Sequence, residues 1–218
     1  MKNTIQKLAV VIPAMIITAM GASLGIKAAV GVGAWDALSI SVCQVIGLKV
    51  GTFSMIMNIT CVAIQLVILK KDFKIVHASQ VLVSVMLGGV VNFMIYNVFA
   101  RFTITSYAIN LGLLLLSVII CSIAISVIMT VNLVTFPLES CCMVIANKLN
   151  KNFGTLRQMV DVAAIVISLG LSLAFADPIQ VREGTVIAMI LFGPLLNLIM
   201  PRLQPGMEKL NLTVQSAN

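Results

Sequence analysis

The sequence predicts an all-α fold: a polytopic transmembrane helix bundle of about six spans plus two short re-entrant helices, built as two inverted repeats. Three observations predict it. The first is composition: of 218 residues, 60% are hydrophobic and only 10% charged, with a mean hydropathy of +1.12. A soluble domain carries about 25% charged residues, so lipid must solvate most of this chain. The second is a series of apolar runs at spanning length. The third is the order of those runs, long, short, medium, long, which occurs twice.

The runs cover residues 8–30, 34–48, 53–69, 79–99, 107–131, 137–147, 156–175 and 184–200. The first follows a basic start, Met1 to Lys7, as a signal peptide does. It continues past residue 30 with no cleavage context, so it reads as an uncleaved first helix. Lys70-Lys71-Asp72-Phe73-Lys74, Arg101, Asn147 to Gly154 and Asp177 to Gly184 separate most of the others. At 1.5 Å per residue, run 34–48 reaches about 22 Å and run 137–147 about 16 Å, against a hydrocarbon core of about 30 Å. These two are the short pieces expected to re-enter rather than cross. The chain reads as one transmembrane domain, residues 1–218, with repeat 1 over about 8–100, repeat 2 over about 107–200 and a polar, frayed tail from 202 to 218.

A shift of 103 residues lays Asp36 on Glu139, Gly51-Thr52 on Gly154-Thr155 and Asn58 on Asp161. After a two-residue gap, a shift of 105 lays Asp72 on Asp177, Gly88 on Gly193 and Asn92 on Asn197. Charge then chooses a topology. Leaving out Lys27, which lies within the first run, six spans and a cytoplasmic N-terminus put ten Lys and Arg inside and Lys49, Arg101 and Arg182 outside. Eight spans give a poorer split. The positive-inside rule favours six, with both termini cytoplasmic. Three spans per half make the halves inverted, as in many transporters.

The net charge of +7 does not point to nucleic acid. Nearly all basic residues lie between apolar runs, and no basic stripe with interleaved aromatics exists. The five cysteines sit inside apolar runs without C-x-x-C spacing, and His77 is the only histidine. That excludes a zinc site or disulfide framework, so no metal and no cofactor are expected. No nucleophile–base pair is visible either, and the chain does not read as an enzyme.

The residues that could carry chemistry form two constellations. Gly31-Val32-Gly33-Ala34-Trp35-Asp36 places an acid at the start of a short helix, either as an N-cap or facing a cavity. Phe136-Pro137-Leu138-Glu139 repeats the arrangement, since proline and an acid suit a first turn. Asn58, Arg157 and Asp161 form the second constellation. Arg157 and Asp161 stand at i and i+4 and can pair on one helix face, as a brace or as a cavity lining. Lys27 either snorkels to the headgroups or pairs with Asp36. Gly21 and Gly25 form a G-x-x-x-G that permits close helix contact. The candidate substrate- or ion-binding residues are therefore Lys27, Trp35, Asp36, Asn58, Glu139, Arg157 and Asp161.

Gly33-Ala34-Trp35-Asp36-Ala37-Leu38, then Gly47 and Gly51-Thr52, resemble the YczE/YitT-like bacterial membrane proteins. So do Pro137, Glu139, Gly154, Arg157, Asp161, Gly184-Thr185 and Gly193-Pro194 in the second half. Ala34 stands where that family usually has proline. The resemblance spans about residues 20–200 and implies a multi-pass protein of the bacterial cytoplasmic membrane, of internal-repeat type, with no settled substrate. Duplicated halves, broken helices and paired membrane acids together predict a secondary transporter or permease for a small polar solute or ion. The alternative is a non-transporting membrane partner, scaffold or substrate-capture subunit. Beyond the lipid bilayer, the partners left open are a second copy of the chain and another membrane protein.

Overall fold

A computed structural model describes residues 2–102, 104–210 and 212. Eight α-helices follow in order: α1 (Lys2–Ala28), α2 (Ala34–Ile46), α3 (Val50–Leu69), α4 (Ile75–Phe93), α5 (Tyr107–Val131), α6 (Pro137–Leu149), α7 (Phe153–Phe175) and α8 (Glu183–Lys209). A π-helical turn, Met94–Val98, extends α4. There is no strand among the described residues. Six helices, all but α2 and α6, are long and apolar enough to cross a membrane. The protein is an integral, multi-pass membrane protein.

Burial is distributed as lipid solvation requires. Large apolar side chains point outward, with Leu82 and Leu173 about three-quarters exposed at 74% and 75%. In water, each such side chain would forgo about 1.5–3 kcal/mol of burial free energy; against lipid tails that cost vanishes. The interior instead holds small and polar residues. Ser23, Ser84, Ser122 and Ser126 are fully buried. Each donates to the carbonyl four residues earlier, which satisfies the hydroxyl within its own helix.

Small residues also set the central crossing. A Cβ on Gly25 would lie 2.6 Å from Ser117 Oγ, and one on Gly21 would lie 2.7 Å from Cys121 Sγ. Ser117 Oγ donates to the Gly21 carbonyl at 2.7 Å. Further along, Val11, Ala14 and Met15 pack with Ile128 and Val131. The contacts descend one helix as they ascend the other, so α1 and α5 run antiparallel. The G-x-x-x-G face is thus used up inside the bundle.

Helix ends recur at the interval the sequence suggested. Both short helices have 13 residues, and 34–46 becomes 137–149 on adding 103. The ends of α1 and α5 (28 and 131) and the starts of α3 and α7 (50 and 153) keep the same interval. So do the left-handed residues that stop the helices: Ala29 (φ 54°) with Asn132 (φ 47°), and Gly47 (φ 72°) with Asn150 (φ 51°). Lys70 and Ala176, φ 48° and 56°, close α3 and α7 at an interval of 106.

The last quarter of each half departs from that pattern. α3 and α4 form a tight hairpin in which Gly51 and Gly88 leave no room for a Cβ between them. α8 packs on α5 instead of α7, and Gly193, expected to match Gly88, has nothing near it. The tail also differs from expectation. α8 continues through Pro201 and Pro205 to Lys209, with Gln204 bonded to Glu208 at 2.8 Å. Leu212 docks into the Val11–Ile128 cluster, and Met207 packs against it. Residues 211 and 213–218 lie outside the described residues.

Candidate functional site

The two short helices begin close to one another. Trp35, in the first turn of α2, packs on a cluster of Cys61, Leu138, Cys141 and Cys142, together with Leu156 and Val160. That cluster joins α3, α6 and α7, so the starts of α2 and α6 share one neighbourhood. Neither start has a side-chain cap. Of their acids, Glu139 pairs with the guanidinium of Arg157, and Asp36 lies within its electrostatic reach. Arg157 Nε is 3.7 Å from Glu139 Oε1, and Arg157 Nη1 bonds Asp161 Oδ1 one turn further along α7. Asp36 lies within electrostatic reach of Arg157 and of Cys121, the latter midway along α5. The Arg157, Glu139 and Asp161 side chains keep 25%, 34% and 22% of their surface open. The group is therefore half-buried.

The structure thus brings together Trp35, Asp36, Glu139, Arg157 and Asp161. Asn58, on α3, is half-buried and joins none of their hydrogen bonds. Lys27 is half-buried at the end of α1 and has no ion-pair partner among the described residues. Of the two readings of Lys27, snorkelling or pairing with Asp36, the pair is not formed among the described residues, and Asp36 lies instead within electrostatic reach of Arg157. His77 serves the backbone, where its Nδ1 accepts from the Lys74 amide at 3.0 Å and caps α4.

Residues outside the expected set hold the two starts in place. Gln65 and Gln80 are fully buried. Gln65 Nε2 donates to Gln80 Oε1 at 2.9 Å and to the Pro137 carbonyl at 3.3 Å, while Ser140 Oγ donates to Gln65 Oε1 at 2.8 Å. This network fixes the first turn of α6 against α3 and α4. A glutamine in the middle of an apolar run was the available signal, since such a group must find partners. On the other side, Ser41 and Ser168 share a 2.7 Å bond between α2 and α7.

The link from α1 to α2 is sewn to the start of α8. Gly184 N donates to the Val30 carbonyl at 2.9 Å, Val32 N to Thr185 Oγ1 at 3.2 Å and Arg182 Nη1 to the Ala29 carbonyl at 2.9 Å. Gly31 must be glycine: its φ is +117°, and a Cβ would lie 2.6 Å from the Thr185 amide. Gln180, between α7 and α8, donates to Gln44 near the end of α2 at 3.3 Å. A crevice of about 250 Å³ opens here between Ala29, Gly31, Val32, Ile40, Gln44, residues 178–180 and Arg182. A larger trough of about 590 Å³ lies along the opposite, lipid-facing side of α7 from Arg157, and no second helix lines it.

Comparison with curated proteins and with solved structures finds no match. One family model matches, over residues 5–201, and its description is a family of unknown function, DUF6198. That match takes in α2 to α7 whole, most of α1 and α8, and every residue of the Arg157 cluster, and on it the chain belongs to the DUF6198 family.

Proposed function

We propose that this protein is a secondary transporter for a small polar solute or ion, and that it is not an enzyme. The single observation behind this reading is that Asp36 and Glu139, acids at corresponding starts of the two short helices, both lie within electrostatic reach of Arg157. Charged groups at membrane depth are costly and mark solute or ion pathways. Discontinuous helices that start near mid-depth are the usual way transporters present unpaired amides to a solute.

In this reading α2 and α6 are re-entrant and the halves are inverted repeats related by an axis in the membrane plane. Its support is the recurrence of helix ends at 103 residues and the antiparallel course of the corresponding helices α1 and α5. The likeness to YczE/YitT-like proteins is in keeping with a bacterial cytoplasmic membrane and cytoplasmic termini, and the basic residues at 70–74 give the same orientation. The rival reading, a capture subunit docking a partner through small residues on α1, is weakened because Gly21 and Gly25 already face α5.

The test is flux into vesicles containing only the purified protein, with the solute first found by thermal stabilisation. Asp36→Asn and Glu139→Gln keep shape and remove charge. Loss of flux in both, with folding intact, is the expected result. Binding without unaided flux would favour the capture subunit, and wild-type flux in both variants would reduce these acids to helix caps.

A further inference from the structure

Two surfaces of the chain have no helix packed on them, and they match each other. The first is the trough of about 590 Å³ along α7, lined by Thr155, Gln158, Met159, Val162 and Val166. The second is the outer face of α8, a helix in which only Gly184 and Thr185 are buried. Asn197 stands exposed on that face, inside the apolar run 184–200. Neither the Asn197 amide nor the Thr155 hydroxyl has a hydrogen-bond partner among the described residues. Lipid offers none, so an unpaired amide within a span is costly.

The α3–α4 hairpin is a template for what fits such a pair of faces. Asn92 on α4 accepts from the Gly51 amide and donates to Thr52 Oγ1, both at 2.9 Å. Met55 lies over Gly88, its Cβ 3.0 Å from the place a Cβ would occupy there. Shifts of 103 on α3 and 105 on α4 carry Thr52, Met55, Gly88 and Asn92 onto Thr155, Gln158, Gly193 and Asn197. The first two line the trough, and the last two are exposed on α8. The same register sets Val162 opposite Ile190 and Val166 opposite Val186, each more than half exposed. One bond of the template is already used, since the Gly154 amide donates to Asn152 Oδ1 at 2.8 Å. Thr155 and Gln158 remain as partners for Asn197.

The chain's own α8 is held away from the trough. Its start is tied to the α1–α2 link through Arg182, Gly184 and Thr185, and it packs on α5. We propose that the trough is the docking surface for α8 of a second copy of this chain, whose Asn197 bonds Thr155 and Gln158 and whose Gly193 lies under the Gln158 side chain. Rotation about the membrane normal preserves the direction of every span, so this α8 meets α7 antiparallel, as α4 meets α3. Each copy gives one face and receives the other, and the contacts close into a symmetric oligomer. Close approach at a small residue and a shielded amide bond drive such contacts between membrane helices. The docking surface is independent of the transport reading, because the trough lies on the side of α7 away from Arg157.

The test uses the full chain in lipid vesicles. Donor- and acceptor-labelled copies are mixed and diluted with lipid, and energy transfer reads their association. Saturable transfer is expected, about tenfold weaker in association for Asn197→Leu and unchanged for Leu82→Ala, which is exposed on α4. Cross-linking reads the register. With the five native cysteines replaced by alanine, chains bearing Val162→Cys are mixed with chains bearing Ile190→Cys, and oxidation should join them. Thr155→Cys mixed with Asn197→Cys should link likewise, and Thr155→Cys mixed with Val186→Cys should not. If the alanine background does not fold, the energy-transfer series on the natural chain decides. No transfer at any dilution, equal association in Asn197→Leu, or links formed only within chains that carry both cysteines would overturn the proposal. The last result would place the chain's own α8 in the trough.

Discussion

The thiol of Cys121 on α5 donates to the backbone carbonyl of Thr18 on α1 at 3.6 Å, and the two residues are 103 positions apart. The same interval separates α2 from α6. Under the inverted-repeat reading these are equivalent positions, and a residue can touch its own equivalent only beside the axis that exchanges the halves. The Arg157 cluster, where Asp36 and Glu139 converge, would then lie beside that same axis.

The crossing gives the first prediction. With Thr18→Cys introduced and Cys121 the only native cysteine kept, mild oxidation should join the two positions within one chain. The same treatment with Cys61 kept instead should give no link, since α1 and α3 are not packed together. Mass spectrometry of the digested protein reads the outcome. A link at 61 and none at 121 would refute the antiparallel α1–α5 crossing.

The α3–α4 hairpin gives the second. A Cβ at Gly51 would meet the Gly88 carbonyl oxygen and Asn92, whereas Gly89 has open space around it. Gly51→Val should destabilise by about 1–3 kcal/mol or prevent folding, through overpacking against backbone. Gly89→Ala should be neutral or stabilising by up to about 1 kcal/mol, from helix propensity. Thermal melts in detergent compare the two. Equal loss in both would mean that the close approach does not hold the hairpin.

The fold was legible in the sequence because lipid leaves few choices: long apolar runs must be helices, and Gly, Asn and charged residues can only interrupt them. The starts of the short helices were legible too, since Pro137-Leu138-Glu139 and Gly33-Ala34-Trp35-Asp36 carry local signals. Partner choice was not. Lys27 and Arg157 are both basic residues, and only packing decides that Arg157 comes within electrostatic reach of Asp36. The Gln65–Gln80–Ser140 network joins residues up to 75 positions apart, a relation no local pattern encodes. The end of α8 reads as frayed in the sequence because its anchor, Leu212, docks on a distant part of the chain.

The third prediction concerns sidedness. Asp72 lies in the turn between α3 and α4, and Arg101 follows the π-helical extension of α4. A hairpin whose two arms each span the membrane must place them on opposite faces. In a background free of native cysteines, Asp72→Cys should react with a membrane-impermeant maleimide only from the cytoplasmic side, and Arg101→Cys only from the other. Labelling of both from one side would dismantle the six-span arrangement.

The last prediction tests how the start of α2 is held. Thr185 is fully buried, and its hydroxyl accepts from the Val32 amide at 3.2 Å and from the Arg182 amide at 3.3 Å. Thr185→Val keeps the shape and removes the acceptor, leaving the buried Val32 amide without a partner at a cost of about 1–3 kcal/mol. Thr185→Ser keeps the hydroxyl and loses one methyl, about 1 kcal/mol. The valine variant should therefore melt lower than the serine variant, although it is nearer in size to threonine. Because Val32 leads directly into Trp35 and Asp36, the same variant should also shift the emission of the single tryptophan, and serine should restore it. If valine melts at or above serine, with emission unchanged, the link is held by packing alone and Thr185 does not position the site.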